Sequence, residues 1–273
     1  LVPFFEAKYV KTEAFGSQSG PFFSQGTTLG DPGNRERIRL DNPYLSTQAR
    51  AQLTTALLAT NANPNAGNNT ALSAAALATQ QAAINSGSFR FNLRRNWMDL
   101  GIRDEQIDRE TYRIVGGIRG DFNDDWKYEL SVNYGQHKET NIIKGNVNVQ
   151  RYLLAVDSTR DASGNIVCRS KLDASNTVSY LTGGTLADGD DPRLAADIAA
   201  CTPINPFGQG SVTQAARDYI LVDSKARGKI TQLDILGFVS GDTSGFFNLP
   251  ADLGSLSVGG EYRKETLFYD LDD

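Results

Sequence analysis

The sequence predicts an all-β fold: about five antiparallel strands of a larger transmembrane β-barrel, with long external loops that carry short helices. Three observations lead there. Apolar and polar residues alternate with a period of two over several separate runs. Long and short connections between those runs alternate strictly. No run of about 18 apolar residues exists, so a membrane would have to be crossed by strands rather than by a helix.

The composition is compatible with this. Of 273 residues, 40% are hydrophobic and 22% charged, which is not the composition of a disordered chain. The mean hydropathy of -0.37 does not count against a barrel, because only every second residue of a spanning strand faces lipid. A net charge of -5 and a pI of about 5.1 speak against a nucleic-acid footprint, which is normally basic. No basic segment followed by an apolar core opens the chain. Leu1 to Tyr9 already reads as a strand, and Asp273 follows another strand-like run. The expectation is therefore a fragment, residues 1–273 of a barrel, that begins and stops mid-fold. Cys168 and Cys201 lie in a polar, Gly- and Asp-rich region. In an exported, loop-rich chain, such a pair reads as a disulfide.

Trp126 to Tyr134 shows the alternation most clearly. Trp126, Tyr128, Leu130, Val132 and Tyr134 share one face, and Lys127, Glu129, Ser131 and Asn133 the other. Just before it, Tyr112, Ile114, Gly116 and Ile118 alternate with Arg113, Val115, Gly117 and Arg119. Phe122-Asn-Asp-Asp125 is a tight polar turn, so the stretch from Glu110 to Tyr134 reads as a hairpin. A second hairpin closes the chain. Lys229 to Ser240 puts Leu233, Ile235 and Val239 on one side. Ser255 to Phe268 sets Leu256, Val258, Gly260 and Tyr262 against Ser257, Gly259, Glu261 and Arg263. The link at Asn248 to Gly254 carries Pro and Gly breakers. The opening strand alternates Phe5, Ala7 and Tyr9 with Glu6 and Lys8.

The long connections run from Lys11 to Arg103 and from Asn141 to Lys225. In an up-and-down sheet they leave from one end, and the tight turns lie at the other, as in outer-membrane barrels. A soluble domain rarely carries structureless loops of that length. Ser46 to Thr60 reads as a helix capped by Ser46. Thr70 to Ile84 is Ala-rich and helical in pattern, and Asn61 to Asn69 is a spacer. Phe89, Phe91 and Leu93, alternating with Arg90, Asn92 and Arg94, read as one further strand. Asn148 to Val156, Asp191 to Ala200 and Thr213 to Leu221 each read as a short helix.

No second apolar layer is evident to cover the sheet, as a soluble fold would require. Trp126 sits beside the short turn, and Tyr134 lies about 27 Å further along the strand at about 3.4 Å per residue. That spacing matches the aromatic girdles that flank an apolar band of about 25 Å. On this reading Tyr112, Trp126, Tyr128, Tyr134 and Tyr262 face lipid. Arg113, Arg119, Lys127, Glu129, Glu261 and Arg263 face the lumen, where they tune selectivity or simply solvate the wall. Five strands cannot close a barrel, which starts at about eight, so the missing strands are expected partners.

Several phrases together resemble the barrel of TonB-dependent receptors, in particular the group common in Caulobacter- and Sphingomonas-like bacteria. They are Glu110-Thr-Tyr-Arg-Ile-Val-Gly-Gly-Ile-Arg-Gly-Asp121 with the following Phe122 to Tyr134, Asp41-Asn-Pro-Tyr-Leu45, Asn205-Pro-Phe-Gly208, and Val239-Ser-Gly-Asp242 leading to Gly260-Glu-Tyr-Arg263. The resemblance spans nearly the whole chain and says nothing of the substrate. It implies a barrel of about 22 strands, an N-terminal plug inside it, and energised uptake through contact with the TonB complex. No TonB box, plug domain or terminal aromatic strand is found in the sequence. Plug-borne ligand contacts and TonB coupling therefore map to no residue here. The expected partners are outer-membrane lipid, the plug and remaining strands of the same chain, the TonB complex and a small nutrient, with no nucleic acid. The nutrient would be a ferric siderophore, a vitamin B12-like compound or an oligosaccharide. A passive porin-like channel and a soluble exported binding or adhesion module are the alternatives.

Catalytic and metal chemistry find little support, and no enzyme or cofactor is expected. His137 is the sole histidine, which rules out a His-rich metal site and reads best as a polar rim residue. Gly241-Asp-Thr-Ser-Gly245 resembles a serine-protease phrase only superficially. Asp188, Asp190 and Asp191 lack the 12-residue loop of a calcium-binding EF-hand; they read as a solvated loop, with Asp191 capping the next helix. Asn68-Asn-Thr70 is a bare glycosylation sequon. Arg35, Arg37 and Arg39 form a basic stretch that could meet an anionic ligand or lipopolysaccharide phosphates.

Overall fold

The computed structural model describes residues 1–17, 22–24, 38–62, 73–175, 177–243 and 254–272. In chain order the elements are β1 (Val2–Ser17), β2 (Phe22–Ser24), β3 (Ile38–Arg39), α1 (Thr47–Ala62), α2 (Ala74–Ser86), β4 (Arg90–Phe91), β5 (Arg94–Asn96), β6 (Asp104–Asp121) and β7 (Trp126–Val147). There follow α3 (Val149–Val156), β8 (Ser158–Arg160), β9 (Ile166–Cys168), α4 (Leu194–Ala200), α5 (Gln214–Ile220), β10 (Leu221–Asp242) and β11 (Ser255–Leu271). The chain forms two compact units. One comprises residues 1–17, 104–144 and 223–273, and the other residues 18–103 and 145–222.

The first unit is a five-stranded sheet in the order β1-β6-β7-β10-β11. β6 pairs antiparallel with both β1 and β7, and β10 with β11. The turn between β6 and β7 is tight for a local reason. The Asn123 side-chain oxygen accepts from the Asp125 and Trp126 amides at 3.0 and 2.8 Å, and the Phe122 amide donates to Trp126 O at 2.8 Å. An Asx side chain thus supplies the bonds that a turn leaves open. Between β7 and β10, the Asp242 amide donates to Asp125 O, and Gly237 stands against Leu130. At the other end of the β10–β11 link, the Thr243 amide donates to Gly254 O at 2.8 Å. The rest of that link, including Asn248 to Leu253, lies outside the described residues.

The expected strands exist but are longer than expected. β1 continues past Tyr9 to Ser17, β6 begins at Asp104 instead of Glu110, β7 runs beyond Tyr134 to Val147, and β10 starts at Leu221 instead of Lys229. The reason is compositional. Beyond the tyrosines the strands carry charge on both faces, as in Asp108-Arg-Glu110 and Lys138-Glu139. Hydrophobic periodicity then vanishes while the backbone ladder continues unbroken.

The second unit holds an apolar core of its own. Trp97, Leu100, Tyr152, Leu153, Leu194, Ile204 and Ile220 are fully buried together. Trp97 and Tyr152 meet edge-to-face, with centroids 5.6 Å apart. α3 supplies a continuous run of this core, Tyr152 to Val156, and its Asn148 cap accepts from the Arg151 amide at 3.1 Å. Ser46 caps α1 as expected, accepting from the Ala49 amide at 3.1 Å. α2 runs from Ala74 with Ser73 as its cap, Thr70 to Leu72 lying outside the described residues; Gly87, at φ 82°, closes it in the left-handed conformation that glycine tolerates best. Thr213 caps α5.

Two further expectations are corrected. The strand over Phe89 to Arg94 is split: Arg90–Phe91 pairs with β3, and Arg94–Asn96 with β2. Asp191 does not cap α4, whose cap position is held by Arg193 without a side-chain bond. The Asp191 carboxylate instead accepts from the Ser179 hydroxyl at 2.5 Å and the Arg193 amide at 3.0 Å.

Candidate functional site: the two faces of the sheet

Cross-strand pairing sorts the side chains of the first unit into two faces. Tyr9 lies opposite Tyr112, Ala7 opposite Ile114, and Phe5 opposite Gly116. Ile114 lies opposite Tyr134, Gly116 opposite Val132, and Ile118 opposite Leu130. On the far hairpin Ile235 meets Tyr262, and Val239 meets Val258. Directly opposed residues point to the same side of a sheet, so each set forms one continuous apolar surface. Among them Phe5, Ile114, Leu130, Val132 and Val258 are exposed.

This face has a constant internal order. On each strand a short apolar run begins at the tight-turn end. In β1, β6, β7 and β11 it ends at a tyrosine: Tyr9, Tyr112, Tyr134 and Tyr262. The Tyr112 and Tyr134 rings stand 6.1 Å apart, and Phe122 packs on Tyr128 at 4.6 Å beside the turn. Tyr112, Trp126, Tyr128 and Tyr134 lie on one face of the β6–β7 pair, and Tyr262 lies with Ile235 on one face of the β10–β11 pair. Tyr9, read from the sequence as sharing a face with Phe5 and Ala7 but not named among the lipid-facing aromatics, lies opposite Tyr112. Its place there is set by the register, which one strand read alone does not contain.

Arg113, Arg119, Lys127, Glu129, Glu261 and Arg263 share the opposite face. Arg113 donates to Asn133 at 2.8 Å and approaches Glu6 at 3.7 Å. Arg119 stands over the Phe4 ring at 5.5 Å. Arg263 pairs with Glu261 at 2.8 Å along its own strand. Further out, Arg109 pairs with Glu139 at 2.5 Å. A hollow of about 320 Å³ on this face is lined by Val2, Arg119, Lys127, Glu129, Phe238 and Ser240. The face thus offers donors, acceptors and both signs of charge. Its residues can hold a polar surface or solvate a wall, but the six named residues do not converge on one point.

The remaining candidates take structural roles. His137 lies on the polar face, its Nδ1 hydrogen-bonded with the Thr111 hydroxyl at 2.8 Å. Asp188 accepts from the amide and hydroxyl of Thr185 at 2.6 and 2.8 Å. Among the described residues no group of three or more His, Cys, Asp or Glu side chains is arranged to hold a metal. Arg35, Arg37, the Asn68 sequon, and Ser244 and Gly245 lie outside the described residues.

In the second unit Cys168 and Cys201 form a buried disulfide. Beside it is a charged network that sequence reading did not find. Arg90 and Arg169 both bind the Asp157 carboxylate, at 2.8 and 3.1 Å, and Arg169 and Arg39 both bind Asp41. Burial pushes the Asp157 carboxyl up, but the two guanidiniums outweigh it and hold the group below its ordinary range. Asn42 adds a buried bond to Val156 O at 3.2 Å. These contacts tie the insertion after β1 to the insertion after β7. Arg39 is thereby a structural partner of Asp41, and burial-weakened solvation does not remove its charge: the hydrogen bond to Asp41 holds its pKa up.

Compared with known protein families, curated proteins and solved structures, the chain matches none.

Proposed function

We propose that this chain is a section of the wall of a Gram-negative outer-membrane receptor of the TonB-dependent type, serving energised uptake of a scarce nutrient. The observation that carries the reading is the exposed apolar face, whose apolar run ends in tyrosine on four of the sheet's five strands. From Trp126 to Tyr134 the run is about 27 Å long at about 3.4 Å per residue, close to the band that barrel strands present to lipid. Such a face in water would be a large exposed apolar patch of the kind soluble monomers avoid. The opposite face, with its mixed charge, suits a water-filled or plugged interior. Among the described residues β1 and β11 are the outer strands of this sheet, which fits continuation into further strands.

In this reading the strands supply the wall and the second unit, built from the two long insertions, supplies recognition. The work is transport, not catalysis. The specific sequence phrases favour the receptor family over a passive channel.

The coding sequence around the chain tests the proposal. An upstream export signal, TonB-contact motif and plug, with further alternating strands downstream, are expected. A start codon directly before Leu1 and a stop directly after Asp273 would overturn it in favour of a small self-contained β-protein.

A further inference from the structure

The second unit carries an open hollow of about 290 Å³, lined by Ala174, Ser175, Thr185, Leu186 and Ala187. The loop that forms it is fixed in place. Ala174 and Tyr180 pack against the buried core, and Ser179 is fully buried. The Gln150 side chain accepts from the Tyr180 amide at 2.5 Å, Val178 bridges to Thr185, and the Ser179 amide donates to Gly184 O at 2.8 Å. The hollow is therefore formed before any ligand arrives, and binding there does not have to order a loop.

The lining selects what can enter. None of the described residues that line the hollow is charged, and Leu186 is 40% exposed. The Ser175 hydroxyl lies 2.6 Å from an Asp173 oxygen, and the Thr185 hydroxyl 2.8 Å from an Asp188 oxygen. These bonds hold both carboxyls below their ordinary range, Asp173 mainly through the Ser175 hydroxyl and Asp188 mainly through the Thr185 amide. An ionised carboxylate can only accept, so both hydroxyl protons point to the aspartates. The side chains then show the hollow methyl groups, one leucine and oxygen lone pairs. An apolar cavity of about 150 Å³ takes up benzene, and pockets for drug-sized ligands run from about 300 to 1,000 Å³. The hollow thus has room for one substituted ring. We propose that it binds an uncharged hydrocarbon ring carried by the transported nutrient. A charged group would lose hydration there without a lining partner of opposite sign. The inference rests on the reading above that the second unit supplies recognition, and it names the class of group recognised.

The test is titration of the whole chain, refolded in detergent micelles, with benzyl alcohol, followed by NMR of isotopically labelled alanine methyl groups. Saturable shifts of the Ala174 and Ala187 signals are expected. Benzoate and glucose at equal concentrations should leave those signals in place. Ala187→Phe fills the hollow and should abolish the saturable shift at Ala174, whereas Ala187→Gly keeps the hollow open and should retain it. Ala155 and Ala216, buried in the core, report whether each variant is folded; if the Phe variant is not, the three-ligand comparison on the wild type decides. The ring site is wrong if the Ala174 shift only grows in proportion to the benzyl alcohol added, if benzoate or glucose produces the same shift, or if the saturable shift survives in folded Ala187→Phe. The receptor reading is decided separately by the coding sequence. Saturable binding without an upstream plug would leave the ring site and remove the receptor, and a plug without saturable binding would remove the ring site alone.

Discussion

The ring of Phe4 lies across Gly117 on the neighbouring strand, so close that a Cβ at residue 117 would stand 2.4 Å from Phe4 Cζ and 2.6 Å from Leu130 O. Phe4 is the half-buried residue of an otherwise exposed β1. Glycine is needed at 117 for the space, and Phe4 uses that space to anchor β1 on the polar face, where Arg119 stands over its ring. Gly117→Ala should therefore lower stability by roughly 1–3 kcal/mol, the usual range for overpacking. Adding Phe4→Ala should restore only part of the loss, because the Leu130 carbonyl still blocks the methyl group. Chemical unfolding midpoints of the single and double variants, folded in detergent, measure this.

The apolar face makes a depth-dependent prediction. If it meets lipid, Leu130→Arg in the middle of the band should cost about 2–4 kcal/mol, and Tyr262→Arg at its border about 0–1 kcal/mol. Ser131→Arg on the opposite face should stay within about 0.5 kcal/mol of the parent. Unfolding from vesicles reads all three. Equal effects at Leu130 and Ser131 would mean that lipid does not cover the apolar side.

The disulfide links residues 33 apart in sequence. In the chain-entropy account, a loop of that length contributes roughly 3–4 kcal/mol by restricting the unfolded chain. Replacing both Cys168 and Cys201 with Ser should lower the stability of the second unit by about that amount. Trp97, buried in the same core, reports the loss as an earlier fluorescence transition.

Acid should weaken the second unit through Asp157. Its folded-state pKa lies below the ordinary value of 3.8. A depressed carboxylate contributes stability that is present above its unfolded pKa and lost as pH falls through the folded one. Stability should decline with pH below the ordinary carboxylate range, and Asp157→Asn should flatten that decline. At neutral pH the same variant takes from Arg90 and Arg169 the carboxylate they share, while Arg169 keeps Asp41. The expected cost is roughly 2–3 kcal/mol, less than for a fully buried pair because both arginines are partly exposed. Denaturant titrations at neutral and acid pH check both parts.

The sequence by itself determined the strands and their faces. Alternation over Trp126 to Tyr134 and Tyr112 to Arg119 sufficed, because a half-exposed strand writes its two environments into successive residues. The cap at Ser46 was legible for a similar reason, since it satisfies an amide three residues away, and the helical stretches opening at Asn148 and Thr213 prove to begin at caps of the same kind. What the tertiary structure decided depends on partners distant in the chain. Alternation puts Tyr9 on the apolar face of its strand, but its place level with Tyr112 comes from the register. The outer reaches of the strands are held by backbone ladders that leave no hydrophobic period. Arg90, Asp157 and Asp41 come from different insertions, and nothing local marks them as a network. The core around Trp97 and Tyr152 is likewise assembled from two insertions: α3 is largely apolar by itself, but Trp97, Leu100, Leu194 and Ile220, which it meets, come from segments distant in the chain. Local chemistry selects the element, and long-range pairing selects what the element meets.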